Sequence, residues 1–125
     1  MTALTLDKII AVIGAGTMGA GVAQVAAQAG HSVLLFDAKA DAAQQGIDKT
    51  LAGLDKLVEK GKMTADERAA IAQRLTAVND ISELAPANLV IEAIVERLDI
   101  KQELFKQLET ICAPDTILAT NTSSL

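Results

Sequence analysis

Tryptophan and tyrosine are absent from this chain of 125 residues, phenylalanine occurs twice, and there is one cysteine. A surface that stacks nucleobases needs aromatic side chains, and one that tracks a phosphate backbone needs clustered positive charge. The chain offers neither, and its formal net charge of −5 argues against nucleic acid or an anionic membrane as a partner. With one cysteine, Cys112, no intrachain disulfide and no thiolate metal cluster can form. Its helical spacing from Ile100, Leu104, Leu108 and Ile111 reads as a buried core thiol. No apolar stretch approaches the roughly 20 residues that span a bilayer. The N-terminal residues Met1 to Lys8 lack the positive and then apolar regions of a secretory leader, so a cytoplasmic protein is expected.

What the chain does have is apolar runs. Half of its residues are hydrophobic, enough for one domain with a real core and no second domain. Ile9 to Ile13, Val33 to Phe36, Leu89 to Ala93 and Thr116 to Ala119 are continuously or nearly continuously apolar rather than alternating. Strands buried on both faces read this way, which predicts a parallel sheet covered by helices on each side. Leu75 to Val78 is a shorter fifth strand candidate. Between the first two runs Met18, Val22, Val25, Ala26 and Ala29 recur at helical spacing, and Gly30 supplies the stop. A long amphipathic stretch runs from about Ala40 to Lys60. Thr64-Ala65-Asp66-Glu67 is a capping box that opens another helix through about Arg74. This helical hairpin is surplus to a minimal crossover, and a last helix spans about Leu98 to Cys112.

The chemistry collects at the strand ends. Gly14-Ala15-Gly16-Thr17-Met18-Gly19 follows the first run and opens the first helix, and Asp37 closes the next run. In such a turn Gly14 gives the tight bend, Gly16 lets backbone N–H groups approach a pyrophosphate, and Gly19 lets helix and strand pack closely. Strand, glycine turn, helix, strand and acid together form a βαβ unit of dinucleotide-binding length. Asp37 would accept hydrogen bonds from the adenosine ribose and repel a 2′-phosphate, so NAD is expected over NADP, with Lys39 softening the preference. The plain alternative is a solvated Asp that caps the next helix. Ala93 to Glu96 and Asn121 to Ser123 follow two further strands and would converge on the same crevice. Lys101 has no carboxylate three or four positions away, which fits a ligand role or a solvent-facing lysine. Asn121, Thr122, Ser123 and Ser124 equally suit a cap or turn. His31 precedes the second strand, at the opposite end of the sheet, and is expected to be an exposed turn residue without a catalytic role.

Three stretches, Ile13 to Ala23, Val90 to Glu96 and Ile117 to Leu125, resemble in order the signatures of the 3-hydroxyacyl-CoA dehydrogenases, including 3-hydroxybutyryl-CoA and phenylacetate-pathway members. The resemblance covers essentially the whole chain. It implies a Rossmann-type doubly wound parallel sheet with the helical hairpin inserted between strands two and three, forming an NAD-binding domain over residues 1–125. The implied cofactor-binding residues are Gly14, Ala15, Gly16, Thr17, Met18, Gly19, Asp37, Ala93, Glu96, Lys101, Asn121 and Ser123. Asn121 and Ser123 would border nicotinamide and substrate, Ser123 bonding the reacting oxygen, while the catalytic histidine and glutamate lie beyond Leu125 and leave this piece inactive alone. Within the hairpin Thr50 matches a CoA-contacting serine position, and Lys56 or Lys60 a lysine contact. The implied setting is a cytoplasmic homodimer of β-oxidation or phenylacetate catabolism acting on acyl-CoA. A free-standing NAD or FAD module without catalysis, or a relative used structurally, remains open at this level.

Overall fold

Each of the first four strands of this protein is followed by a segment that carries the chain back to the same end of the sheet, so the described strand pairs are all parallel. The structure, a computed structural model, describes residues 8–39, 41–93, 98–112 and 116–120, without the side chains of residues 17, 98–101 and 118–120. The strands are β1 (Ile9–Ile13), β2 (Ser32–Phe36), β3 (Leu75–Val78), β4 (Leu89–Glu92) and β5 (Ile117–Thr120). They lie in the order β3-β2-β1-β4-β5. Helix α1 (Thr17–Ala29) joins β1 to β2, α2 (Ala42–Glu59) and α3 (Ala65–Arg74) join β2 to β3, and α4 (Leu98–Ile111) joins β4 to β5. The hairpin expected between the second and third strands is therefore present.

The apolar runs are continuous because alternate residues serve opposite cores. Ile10, Val12, Val33 and Leu35 face one layer with Ala23, Ala27, Ile47, Leu54 and Ile71 from α1, α2 and α3. Ala11, Ile13, Val78 and Val90 face the other with Leu84 and with Leu108 and Cys112 at α4. Cys112 is the buried core thiol the pattern implied, its Sγ donating to the Leu84 carbonyl at 3.7 Å, and burial pushes its pKa up.

Local signals end the helices where expected. Gly30 takes φ 111 in the left-handed cap of α1, a backbone shape costly to any residue with a Cβ. Thr64 accepts from the Glu67 N–H and the Glu67 carboxylate accepts from the Thr64 N–H, closing the capping box of α3. Two features escape the sequence. A 3-10 helix, Ile81–Leu84, fills the path from β3 to β4, held by Asp80 accepting from the Ser82 N–H. Asn88 joins the starts of three strands: its Oδ1 accepts from Ile9 N–H at 2.8 Å, its N–H donates to the Ile9 carbonyl, and its carbonyl accepts from Ile117 N–H.

His31 corrects an expectation. It does sit at the end of the sheet where β2 begins, but it is 8% exposed, with Nδ1 3.2 Å from the Lys8 carbonyl oxygen. Lys8, just ahead of β1, gives the ring a backbone partner, which a reading of the local turn could not supply.

Candidate functional site

In a sheet ordered 3-2-1-4-5 the strand order reverses between β1 and β4, with β2 and β3 on one side and β5 on the other, so a crevice opens beyond the carboxyl ends of β1 and β4. The register sets Phe36, Ile13, Glu92 and Thr120 in one row across β2, β1, β4 and β5. The chain leaves the sheet directly after that row at Gly14, Asp37 and Ala93. The glycine turn and Asp37 are thus brought together with Ala93, whose N–H donates to the Ile13 carbonyl at 2.9 Å.

Each glycine of the turn has its own physical reason. Gly14 takes φ 106, and its N–H donates to the Phe36 carbonyl at 2.8 Å, pinning the turn to β2. Gly19 is pressed against that turn: a Cβ there would stand 1.6 Å from the Gly14 carbonyl oxygen and 3.7 Å from the Ala93 Cβ. Gly16 is different. It has an ordinary φ of −68, and a Cβ on it would meet nothing within 4 Å. Its lack of a side chain answers no contact among the described residues.

Gly16 leads into a helix N-terminus open to an anion. Gly16 caps α1 without a side-chain hydrogen bond, and the first turn holds no acidic residue. The first-turn N–H groups and the positive end of the helix dipole are therefore met, among the described residues, by no side-chain cap and no first-turn acid.

Asp37 stands at the end of β2, half-buried, as a clamp. Its Oδ2 accepts from the Ala15 N–H at 2.7 Å and its Oδ1 from the Lys39 N–H at 2.8 Å. It does not cap the following helix, whose N-cap is Asp41. A carboxylate has about four acceptor positions, so the clamp leaves room for two ribose hydroxyls. Diphosphate-sized space over Gly16 beside a ribose acceptor is a donor and acceptor set that fits a dinucleotide.

Two cavities meet over the turn. One, of about 470 Å³, runs between α1 and α2 past Gly16, Gln24, Lys49 and Thr50. The other, of about 240 Å³, lies beside Asp37, Lys39, Gln45 and Lys49. Thr50 lines the first and donates its hydroxyl to the Gly46 carbonyl at 2.9 Å. Lys56 is exposed further along α2 and lines neither, whereas Lys49 lines both. The sequence reading passed over Lys49; its position four residues after Gln45, on the same helix face, was the available signal. Glu92, fully buried at the end of β4, was also passed over.

Met18 is 47% exposed at the mouth of the turn, where an apolar side chain has no core to fill. Thr17 opens α1 and Lys101 lies in the first turns of α4, and for both only the backbone is described. Glu96, Asn121 and Ser123 lie outside the described residues. Among the described residues no group of His, Cys, Asp and Glu is arranged to hold a metal, and no helix is long and apolar enough to cross a membrane.

Known proteins share this arrangement. A family described as 3-hydroxyacyl-CoA dehydrogenase, NAD binding domain, matches residues 9–125. A 3-hydroxyadipyl-CoA dehydrogenase of Escherichia coli K12 is 53% identical over 94% of this chain and 25% of its own length. A probable 3-hydroxybutyryl-CoA dehydrogenase of Bacillus subtilis is 45% identical over 94% of this chain and 41% of its own. The crystal structure of a 3-hydroxybutyryl-CoA dehydrogenase from E. coli K12 superposes with a TM-score of 0.91 at 51% identity, over 98% of this chain and 26% of that one. The chain spans between a quarter and about two fifths of the length of these relatives.

Proposed function

This chain belongs to the 3-hydroxyacyl-CoA dehydrogenase family, as its NAD-binding domain, and from that premise we propose that it is the cofactor half of an enzyme interconverting L-3-hydroxyacyl-CoA and 3-ketoacyl-CoA. The carrying observation is the pairing of an uncapped α1 N-terminus under a side-chain-free Gly16 with the Asp37 clamp. A flavin reading has no such family behind it.

Bound NAD would supply the hydride acceptor. The residues of this chain do the rest of the holding. Backbone N–H groups from Gly14 through Gly19 receive the diphosphate, and Met18 shields it from water. Asp37 takes the adenosine ribose, and Ala93 gives a flat wall where a larger side chain would fill the crevice. The extended site includes Glu96 and Lys101 along the cofactor and Asn121 and Ser123 beside the nicotinamide, with Ser123 holding the reacting oxygen by a hydrogen bond. Removal of the hydroxyl proton requires a base, assigned by the family resemblance to a histidine beyond residue 125. Thr50 belongs to the CoA side of the groove, with Lys56 as the outer phosphate contact.

The family's relatives are named for 3-hydroxyadipyl-CoA and 3-hydroxybutyryl-CoA, which supports an acyl-CoA substrate. A homodimer in the cytoplasm, serving β-oxidation or phenylacetate catabolism, is the setting we propose. The deciding experiment assays the whole gene product with acetoacetyl-CoA and NADH, and titrates it with both reduced dinucleotides. Turnover with tighter NADH than NADPH binding is expected. A folded protein that binds no NADH at millimolar concentration overturns the proposal.

A further inference from the structure

The pocket beside Asp37 is built for more negative charge than a ribose hydroxyl carries. Asp37 supplies one carboxylate, already clamped by two backbone N–H groups. Against it stand Lys39 and Lys49, with Gln45 one turn before Lys49 on the same face of α2. Both lysines are exposed at the rim, and the one ion pair among the described side chains joins Arg68 to Asp55, elsewhere on the hairpin. Ala42, the first residue of α2, also lines the pocket. Its N-cap, Asp41, adopts a left-handed backbone with φ 65 and makes no side-chain cap bond, and the first turn holds no acid. The N-terminus of α2 therefore borders the same cavity, with the Asp41 carboxylate at its cap offsetting its dipole.

We propose that this cavity admits the 2′-phosphate of NADP(H), so that the site takes both dinucleotides, and that Lys49 determines how far NAD(H) is favoured. The inference rests on the dinucleotide reading above. A ribose held by Asp37 has its 2′ substituent beside that carboxylate, where a hydroxyl is welcome and a phosphate is repelled. Two ammonium groups and a side-chain amide offset the repulsion, so a preference for NAD(H) survives without becoming exclusive. A volume of about 240 Å³ accommodates a phosphate group with its first waters. Lys39, two residues after Asp37, is legible in the sequence as part of this balance. Lys49 is twelve positions away and enters only because α2 folds back across the turn.

The test uses the protein as its gene encodes it and reads the ratio of NADPH to NADH dissociation constants at low salt. Lys49→Ala is expected to raise that ratio about tenfold, as expected for loss of a charge-assisted phosphate contact. Lys49→Glu raises it further, and Lys49→Arg restores it to within about twofold of the parent. NADPH binding weakens more steeply with added salt than NADH binding, because one more anionic group is engaged. Lys106→Ala, a matched charge removal on α4, leaves the ratio unchanged. Ratios within twofold of the parent in both the Ala and Glu variants overturn the proposal, as does NADH binding with no NADPH binding at millimolar concentration. Failure to bind either dinucleotide overturns the dinucleotide reading instead.

Discussion

Two glycines of one turn, three residues apart, both serve cofactor binding, but only one of them also carries stability. Gly19→Ala places a methyl 1.6 Å from the Gly14 carbonyl oxygen and 2.7 Å from its carbon, both backbone atoms that cannot rotate aside. Helix and turn have to separate by roughly 1.5 Å, and overpacking of this kind costs about 1–3 kcal/mol, here at the upper end because backbone must move. The displaced N–H groups then miss the diphosphate, and a misplacement of about 1 Å costs on the order of a hundredfold. Gly16→Ala meets nothing within 4 Å and sits at an allowed φ of −68. Alanine is a poor N-cap, but it restricts the unfolded chain, and these effects of about 0.5–1 kcal/mol offset each other. Stability should therefore stay within about 1 kcal/mol of the parent, while the methyl occupies the anion's approach and NADH affinity falls at least tenfold, about 1.4 kcal/mol. Urea unfolding paired with NADH calorimetry separates the two variants. If Gly16→Ala binds NADH within twofold of the parent, the diphosphate does not lie over residue 16 and the reasoning fails.

Asp37→Ala removes the acceptor of the part-buried Ala15 N–H, while the exposed Lys39 N–H turns to water, and is expected to cost about 1 kcal/mol of stability; calorimetry should show NADH weakened at least tenfold with NADPH affected less. Leu54→Ala empties a side chain that is 1% exposed between α2 and the sheet, so thermal unfolding should register about 2–5 kcal/mol, with the NADH affinity of the folded fraction retained. The Cys112 pKa is raised by burial above the ordinary thiol value of 9.0. The folded state therefore keeps its proton where the unfolded chain loses it, and this contribution to stability is complete below that value and lost as pH rises beyond it. Unfolding followed between pH 8 and about 10.5 should show that fall in the parent and a shallower one in Cys112→Ala.

Much of this was legible because the relevant physics is local. Ile9 to Ile13 and its three counterparts announce strands buried on both faces, and Gly30 and the Thr64 box mark helix ends within a residue or two. The spacing of Gly14, Gly16, Gly19 and Asp37 specifies the turn and its acidic partner without any coordinates. His31 was misjudged because its backbone partner, Lys8, lies twenty-three positions earlier. Asn88 went unnoticed because its partners, Ile9 and Ile117, belong to strands that become neighbours only in the sheet.

The amino-acid order alone determined which segments are the five strands and the four α-helices and where the phosphate-binding turn lies, since these are written in periodicities and spacings shorter than one βαβ unit, while the family resemblance is carried by three stretches in order along the chain. Only the tertiary structure decided that Gly16 faces open space while Gly19 is trapped against backbone. It alone showed that Asp37 clamps the turn it serves, and that Lys49 shares a cavity with it. Those facts depend on how α1 and α2 are set down on the sheet, and that placement follows from the summed packing of both cores rather than from any local run of residues.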